Sequence, residues 1–304
     1  MTNKKFKLAA MSLATAVAVS TVGPSASAVT YYLGDGSVTV DKDDTRGAYS
    51  YQGEDGSEKH RTYVNEDEAD HGVINVKDGH KPTETVPPTT DNSDNGTAET
   101  TSTDNTTDPS GNNTENSSTS ETTTGNTITV MEDVKKTEKT DGTEGNDVKI
   151  VVDSVNADTS ETGKSTVTIG EGADVDLTVK DSKLTTGGNG IDIGVNLDDK
   201  DDNKETNVDL TLDNTKINLT EKDNTAGIVA RDNSTVDVTL KGENTIDGKE
   251  ALEDAAKEAE EAKKEGTSSP NRNVEGIRVG GENAGDDSSG EGASLTIKGD
   301  ETSD

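Results

Sequence analysis

The side chains of this chain that could do chemistry are overwhelmingly carboxylates. Asp176, Asp209 and Asp237 each fill the second position of one recurring frame, V-x-[LIV]-x-[LV], so stacking the frames would bring the three into a single row. Stacked strands lie about 4.8 Å apart, and carboxylates that close repel unless a cation or a splayed rotamer separates them. The row is therefore a candidate metal site. Calcium is the ion it would take, because the region supplies Asp and Asn oxygens and no soft donors. The alternative is three side chains splayed into water. A second calcium signal is Gly187-Gly188-Asn189-Gly190-Ile191-Asp192-Ile193-Gly194-Val195, which follows most of the G-G-x-G-x-D-x-U-x nonapeptide. It occurs once, and Gly194 stands where an aliphatic belongs. Asp91-x-Ser93-x-Asn95-Gly96 imitates the start of a calcium loop, but its twelfth position is Ser102.

Acid/base chemistry has fewer candidates. Asp198-Asp199 and Asp201-Asp202 are paired carboxylates within a run that reads as a solvated turn. Arg231 and Arg278 are the residues that could serve a polysaccharide lyase as bases or hold a sugar carboxylate. The chain has no Cys or Trp, and its three His and five Tyr all precede residue 81. Thiol nucleophiles, Ser-His-Asp triads and Cys/His zinc sites are thereby excluded from the rest. Sugars commonly stack on aromatic faces, and the only candidates for this are Tyr31, Tyr32, Tyr49, Tyr51 and Tyr63. The tyrosines are expected to fill a cap, with sugar stacking as the alternative.

Composition limits what can hold such groups in place. The chain has 304 residues, 26% of them apolar and 30% charged, with a net charge of -33. Any core must be thin. A polyacid surface without a basic patch also argues against nucleic acid as a partner. Lys4, Lys5 and Lys7, the apolar run Leu8 to Val22 and the small residues Ala26-Ser27-Ala28 read as a secretory signal peptide over residues 1 to 28. The run is too short for a transmembrane anchor, so no membrane insertion is expected after cleavage. The remainder would carry 26 basic and 62 acidic residues, a net -36. Secretion without cysteine fits the extracellular or cell-wall surface of a Gram-positive bacterium.

Residues 29 to 80 read as a short β region that opens or caps the fold. It holds strands at Ser37-Val38-Thr39-Val40 and Gly72-Val73-Ile74-Asn75-Val76. Residues 81 to 126 are rich in Thr, Asn, Ser and Asp, and read as a disordered linker. From residue 127 to 304 short strands recur. The frames begin at Val148, Val175, Val208, Val236 and Ala293, a period near 28 apart from one long gap. That gap contains residues 249 to 272, expected to be an inserted helix and loop with a Glu253 to Lys257 pair. A second strand type recurs at Gly190-Ile191-Asp192-Ile193, Gly227-Ile228-Val229-Ala230 and Gly276-Ile277-Arg278-Val279. Short strands with one aliphatic face, about three to a period, predict an all-β fold, a right-handed parallel β-helix. Ile150, Leu177, Leu210, Val238 and Leu295 should then share one core, while Thr178, Thr211 and Thr239 face outward.

The frames Val208 to Ile217 and Val236 to Gly248, with Glu275-Gly276-Ile277-Arg278-Val279 and Gly292 to Gly299, resemble the carbohydrate-binding domain-containing surface proteins of gut Firmicutes. The resemblance runs over residues 126 to 304. It implies a parallel β-helix of the pectate-lyase-like type, a cell-surface role, and polysaccharide and calcium binding. It transfers no catalytic residue, and the Gly-His-Gly and Arg-Ile-Lys elements of galacturonases are absent. The strand Leu295-Thr296-Ile297 lies close to Asp304, where a further coil is expected, so the sequence reads as a fragment or a short member without a C-terminal cap. The function expected is non-catalytic carbohydrate binding or adhesion. Its partner would be a polysaccharide or a host or cell-surface glycan. The alternatives are a structural surface spacer and, after it, a polysaccharide lyase.

Overall fold

The computed structural model describes residues 29–42, 49–53, 56–64, 73–81, 122–135, 148–198, 204–221, 223–267, 273–280 and 292–299. The signal peptide expected at residues 1 to 28 lies outside them, as do residues 82–121 of the expected linker and the Asp91 motif.

The chain is mostly β. Five strands come from the N-terminal region: β1 (Val29–Tyr32), β2 (Ser37–Lys42), β3 (Tyr49–Gln52), β4 (Glu58–Val64) and β5 (Ile74–Lys77). After them come β6 (Thr123–Thr124), β7 (Ile128–Val130), β8 (Val148–Asp153), β9 (Asn156–Thr159) and β10 (Val167–Gly170). The repeats supply β11 (Asp174–Lys180), β12 (Lys183–Thr186), β13 (Ile191–Val195), β14 (Thr206–Asp213), β15 (Lys216–Leu219) and β16 (Thr225–Ala230). The last elements are β17 (Ser234–Lys241), β18 (Thr245–Asp247), the helix α1 (Lys249–Glu265), β19 (Val274–Val279) and β20 (Ser294–Gly299).

These strands form three sheets. Sheet 1 runs β1-β5-β8-β11-β14-β17-β20, sheet 2 runs β19-β16-β13-β10-β7-β2-β4-β3, and sheet 3 runs β18-β15-β12-β9-β6. From β8 onward the chain visits sheets 1, 3 and 2 in that fixed succession. Every pairing is parallel except β3 on β4. The N-terminal region is built into the same sheets, since β5 pairs with β8 and β2 with β7. Thr123 and Thr124, assigned from sequence to the linker, are the first strand of sheet 3, paired with β9.

Alternation along each strand sends Val, Leu and Ile to one face, and the parallel register stacks them. Ile74, Ile150, Leu177, Leu210 and Val238 form one such row, all buried in a single continuous core. Thr178, Thr211 and Thr239 form the row beside it on the outer face. The last frame departs from the expected alignment. Ile297, not Leu295, continues the Val238 row, and Leu295 stacks on Val236. A slip of two residues keeps every side chain on its expected face, so alternation in the sequence cannot detect it.

Left-handed residues make the corners that follow the sheet 1 strands. Ser154, Asp181, Asn214 and Gly242 follow the sheet 1 strands, each with a positive φ between 47° and 62°. Asp, Asn and Gly adopt that left-handed backbone most readily, and it turns the chain toward sheet 3. Sheet 2 has a different glycine requirement. A Cβ on Gly190 would lie 2.5 Å from the Gly227 carbonyl oxygen, and one on Gly227 would lie 2.7 Å from that of Gly276 and collide with Ile246, whereas Gly276 has open space. Gly227→Ala should therefore destabilise the fold by about 2 kcal/mol or more, the range of an overpacked core, while Gly276→Ala stays within about 0.5 kcal/mol of the parent. Urea midpoints of the two variants check this, and equal midpoints would contradict the close-packed glycine row.

Candidate functional site

At the N-terminal end of sheet 2, alternation places Val38, Val40, His60 and Thr62 inside. Thr39, Asp41, Lys59, Arg61 and Tyr63 therefore take the outer face. The antiparallel register sets Tyr49 opposite Arg61 and Tyr51 opposite Lys59, which adds two more rings to that face. Tyr49 and Tyr63 stack with ring centroids 5.8 Å apart and hydroxyls 3.1 Å apart, and Tyr51 lies 5.8 Å from Tyr49. Tyr51 is the most exposed of the three, at 37%. The Arg61 Nε lies 3.5 Å from Asp41 Oδ2. Burial works against the Arg61 charge, but its hydrogen bond to Tyr49 and the Asp41 carboxylate outweigh burial and hold its pKa above the usual value.

The result is an aromatic shelf edged by a guanidinium, an ammonium and a carboxylate. Ring faces accept the apolar side of a flat ligand, and the charged groups hydrogen-bond at its rim. The expected cap role of the tyrosines is thus divided between two positions. Tyr31 packs on the core beside His60, with ring centroids 5.8 Å apart, and burial raises its phenol pKa. Tyr49, Tyr51 and Tyr63 are on the outside. The hairpin that assembles them has a sequence signal, the alternating Tyr49-Ser50-Tyr51 and Lys59-His60-Arg61-Thr62-Tyr63.

The carboxylate ladder forms as expected. Asp176, Asp209 and Asp237 are in register on adjacent strands. The row ends on Lys149 at one side and Thr296 at the other, and Lys298 Nζ lies 3.4 Å from Asp237 Oδ2. Among the described residues, no three acidic or histidine side chains are gathered as a shared cation requires. A second ladder on sheet 1 alternates in sign: Lys77, Asp153, Lys180, Asp213 and Lys241. Lys180 Nζ is 3.1 Å from Asp153 Oδ2. Burial raises the Asp153 pKa, but hydrogen bonds from Lys180 and Ser154 and the charge of Lys77 outweigh it and leave the carboxyl below its ordinary value.

The nonapeptide aspartate and one proposed lyase base meet each other. The Arg231 Nε and Nη2 donate to the two Asp192 oxygens at 2.8 and 2.9 Å, and Asn189 Nδ2 donates to Asp192 Oδ2 at 2.8 Å. Asp192 is buried, so these bonds occupy the oxygens that a calcium ion would need. Gly194, the misfit of the motif, has φ +80° beside the register shift that pairs Gly170 with Val195, the mark of a β-bulge. Arg278 is paired with Glu275 at 2.7 Å. Of the Asp198 to Asp202 run, only Asp198 is described; its backbone N–H donates to Glu132 at 3.0 Å.

Helix α1 lies beside sheet 3. Ala251 is fully buried and Leu252 is 55% exposed. Lys257 pairs with Asp254 at 2.7 Å and Glu253 with Lys249 at 3.7 Å, in place of the expected Glu253 to Lys257 pair. Between helix and sheet is a polar cleft of about 510 Å³ lined by residues including Lys216, Asn218, Asp247 and Glu253.

Comparison with protein-family models, curated proteins and solved structures finds no match to this chain.

Two outcomes follow from the ion pairs. Arg231→Ala leaves Asp192 buried without its counter-ion and should cost about 3–5 kcal/mol in chemical denaturation, far more than loss of an exposed pair. A loss below about 1 kcal/mol would mean that the pair is solvated. For Asp153 the folded pKa is depressed, so its stabilisation is complete above the unfolded carboxylate value of about 3.9 and is lost as pH falls through the lower folded value. Asp153→Asn should flatten the acid limb of the stability profile below about pH 4. An unchanged limb would show that Lys180 contributes nothing to it.

Proposed function

We propose that the chain is a secreted cell-surface protein that binds carbohydrate without catalysis, through the outer face formed by Tyr49, Tyr51, Tyr63, Arg61, Lys59 and Asp41. The observation that carries this reading is the aromatic shelf itself: three neighbouring rings, two at 5.8 Å from the third, beside paired charges. A pyranose has an apolar face of C–H groups and a rim of hydroxyls, the pattern that such a shelf complements. The lysine-flanked leader sequence supports the surface location, and the resemblance to carbohydrate-binding surface proteins of gut Firmicutes agrees with both. On this reading the three sheets form a right-handed parallel β-helix. The fixed succession of sheets 1, 3 and 2 supports it, as does the strong right-handed preference of parallel crossovers.

A second reading, a surface spacer, is favoured by the uninterrupted core shared by strands from β2 to β17. Such a core makes a stiff rod whatever it displays. An array of neutral and acidic polysaccharides separates the two. The binder should retain at least one glycan, and Tyr51→Ala should lower that affinity about tenfold while leaving the fold intact. Retention of no glycan would leave the spacer. Retention unaffected by Tyr51→Ala and Arg61→Ala together would remove the shelf as the site.

A further inference from the structure

The tyrosines of the β3–β4 hairpin have a chemistry that does not depend on whether they bind a ligand. Tyr49 and Tyr63 are diagonal neighbours on antiparallel strands, since Tyr49 is opposite Arg61 and Tyr63 lies two residues further along β4 on the same face. Aromatic side chains span that diagonal. The two rings are stacked at 23°, and their hydroxyls, 3.1 Å apart, make the one hydroxyl contact between rings among the described residues. In each ring the ortho carbon is one bond from the carbon that carries the oxygen, so contact of the oxygens also brings an ortho carbon of each ring towards the other. Composition and access act on the same pair. A chain with no Cys and no Trp has no side chain that gives up a single electron more readily than tyrosine. Its three methionines react differently, taking an oxygen atom at sulfur to form sulfoxide. Tyr51 is 37% exposed and its ring is 5.8 Å from Tyr49, so an oxidant that reaches Tyr51 is one ring-to-ring electron transfer from the pair.

We infer that Tyr49 and Tyr63 are a modification site, at which a peroxide-driven one-electron oxidant of the haem peroxidase class joins the two rings as dityrosine. Each phenol loses one electron to the oxidant and its hydroxyl proton to water. The two phenoxyl radicals pair their unshared electrons at ortho carbons, which forms one C–C bond. Each of those carbons then loses its hydrogen as a proton while the ring oxygen regains one, and two phenols are restored. In sum, two tyrosines and one hydrogen peroxide give one dityrosine and two waters. The bond closes a loop between positions 14 apart and fixes β3, the edge strand of sheet 2, to β4. It is the covalent tie that a cysteine-free chain otherwise lacks, and it constrains the unfolded chain as a disulfide does.

The full chain, treated at low concentration with hydrogen peroxide and a haem peroxidase, should lose two hydrogen atoms in mass, remain a single chain and gain the blue fluorescence of dityrosine. Peptide mapping should find Tyr49 joined to Tyr63. Tyr63→Phe keeps the ring but not the phenol and should abolish the product, whereas Tyr32→Phe should leave its yield unchanged. Amide exchange in β3 should slow about tenfold or more on oxidation, because opening of the edge strand then meets a covalent tie. A bond between Tyr49 and Tyr51, covalent dimers in place of the internal bond, or a product that has gained only oxygen would overturn the inference. Exchange in β3 that the bond leaves unchanged would overturn its role in fixing the strand.

Discussion

Parallel, in-register stacking of short strands is the constraint from which the rest of this molecule follows. Because each residue sits one strand spacing from its counterpart in the next rung, a side chain is tolerated only if it can stand beside a copy of itself or a complement. Aliphatic side chains meet that condition by packing, as in the row from Ile74 to Val238. Glycine meets it where backbones approach, as at Gly190 and Gly227. Aromatic rings are not needed by so thin a core, and the tyrosines are all in the first four strands.

Charge obeys the same rule in two ways. The row from Lys77 to Lys241 alternates in sign, so each carboxylate lies between ammonium groups. The row of Asp176, Asp209 and Asp237 does not alternate, and it is bounded by lysines near its ends. Exposed ion pairs contribute little individually, so these rows act on register and solubility more than on stability. Asp192 is different in kind. It is buried; Asn189 satisfies it from the turn just before β13, and Arg231, 39 positions along the chain, ties β13 to the segment after β16.

The two ends give the stack a polarity. One end carries the aromatic hairpin, where β3 folds back on β4 and the Tyr49, Tyr51 and Tyr63 rings gather over Arg61. The other ends on β18, β19 and β20, where Ile277 and Ile297 are more exposed than the Ile228 and Val238 on which they stack.

The recurring V-x-[LIV]-x-[LV] frame was sufficient to read parallel strands, the inward residues and the inserted helix directly from the sequence, because period-two alternation and a Lys/Glu/Ala run are local signals. The corners at Ser154, Asp181, Asn214 and Gly242 use left-handed backbone that Asp, Asn and Gly adopt readily, and the fold is what identified them as corners. Relations between rungs were not local and could not be read. The two-residue slip that places Ile297 on Val238 preserves alternation. Arg231 and Asp192 are 39 positions apart, so a calcium-like motif and a candidate base looked independent until the fold joined them. The sign-alternating ladder required the register of five strands, and the tyrosine shelf required an antiparallel turn in an otherwise parallel molecule. Sequence determined which face each side chain takes, through the geometry of a single strand; only the tertiary structure decided which side chains became neighbours, because that depends on register summed over all the strands between them.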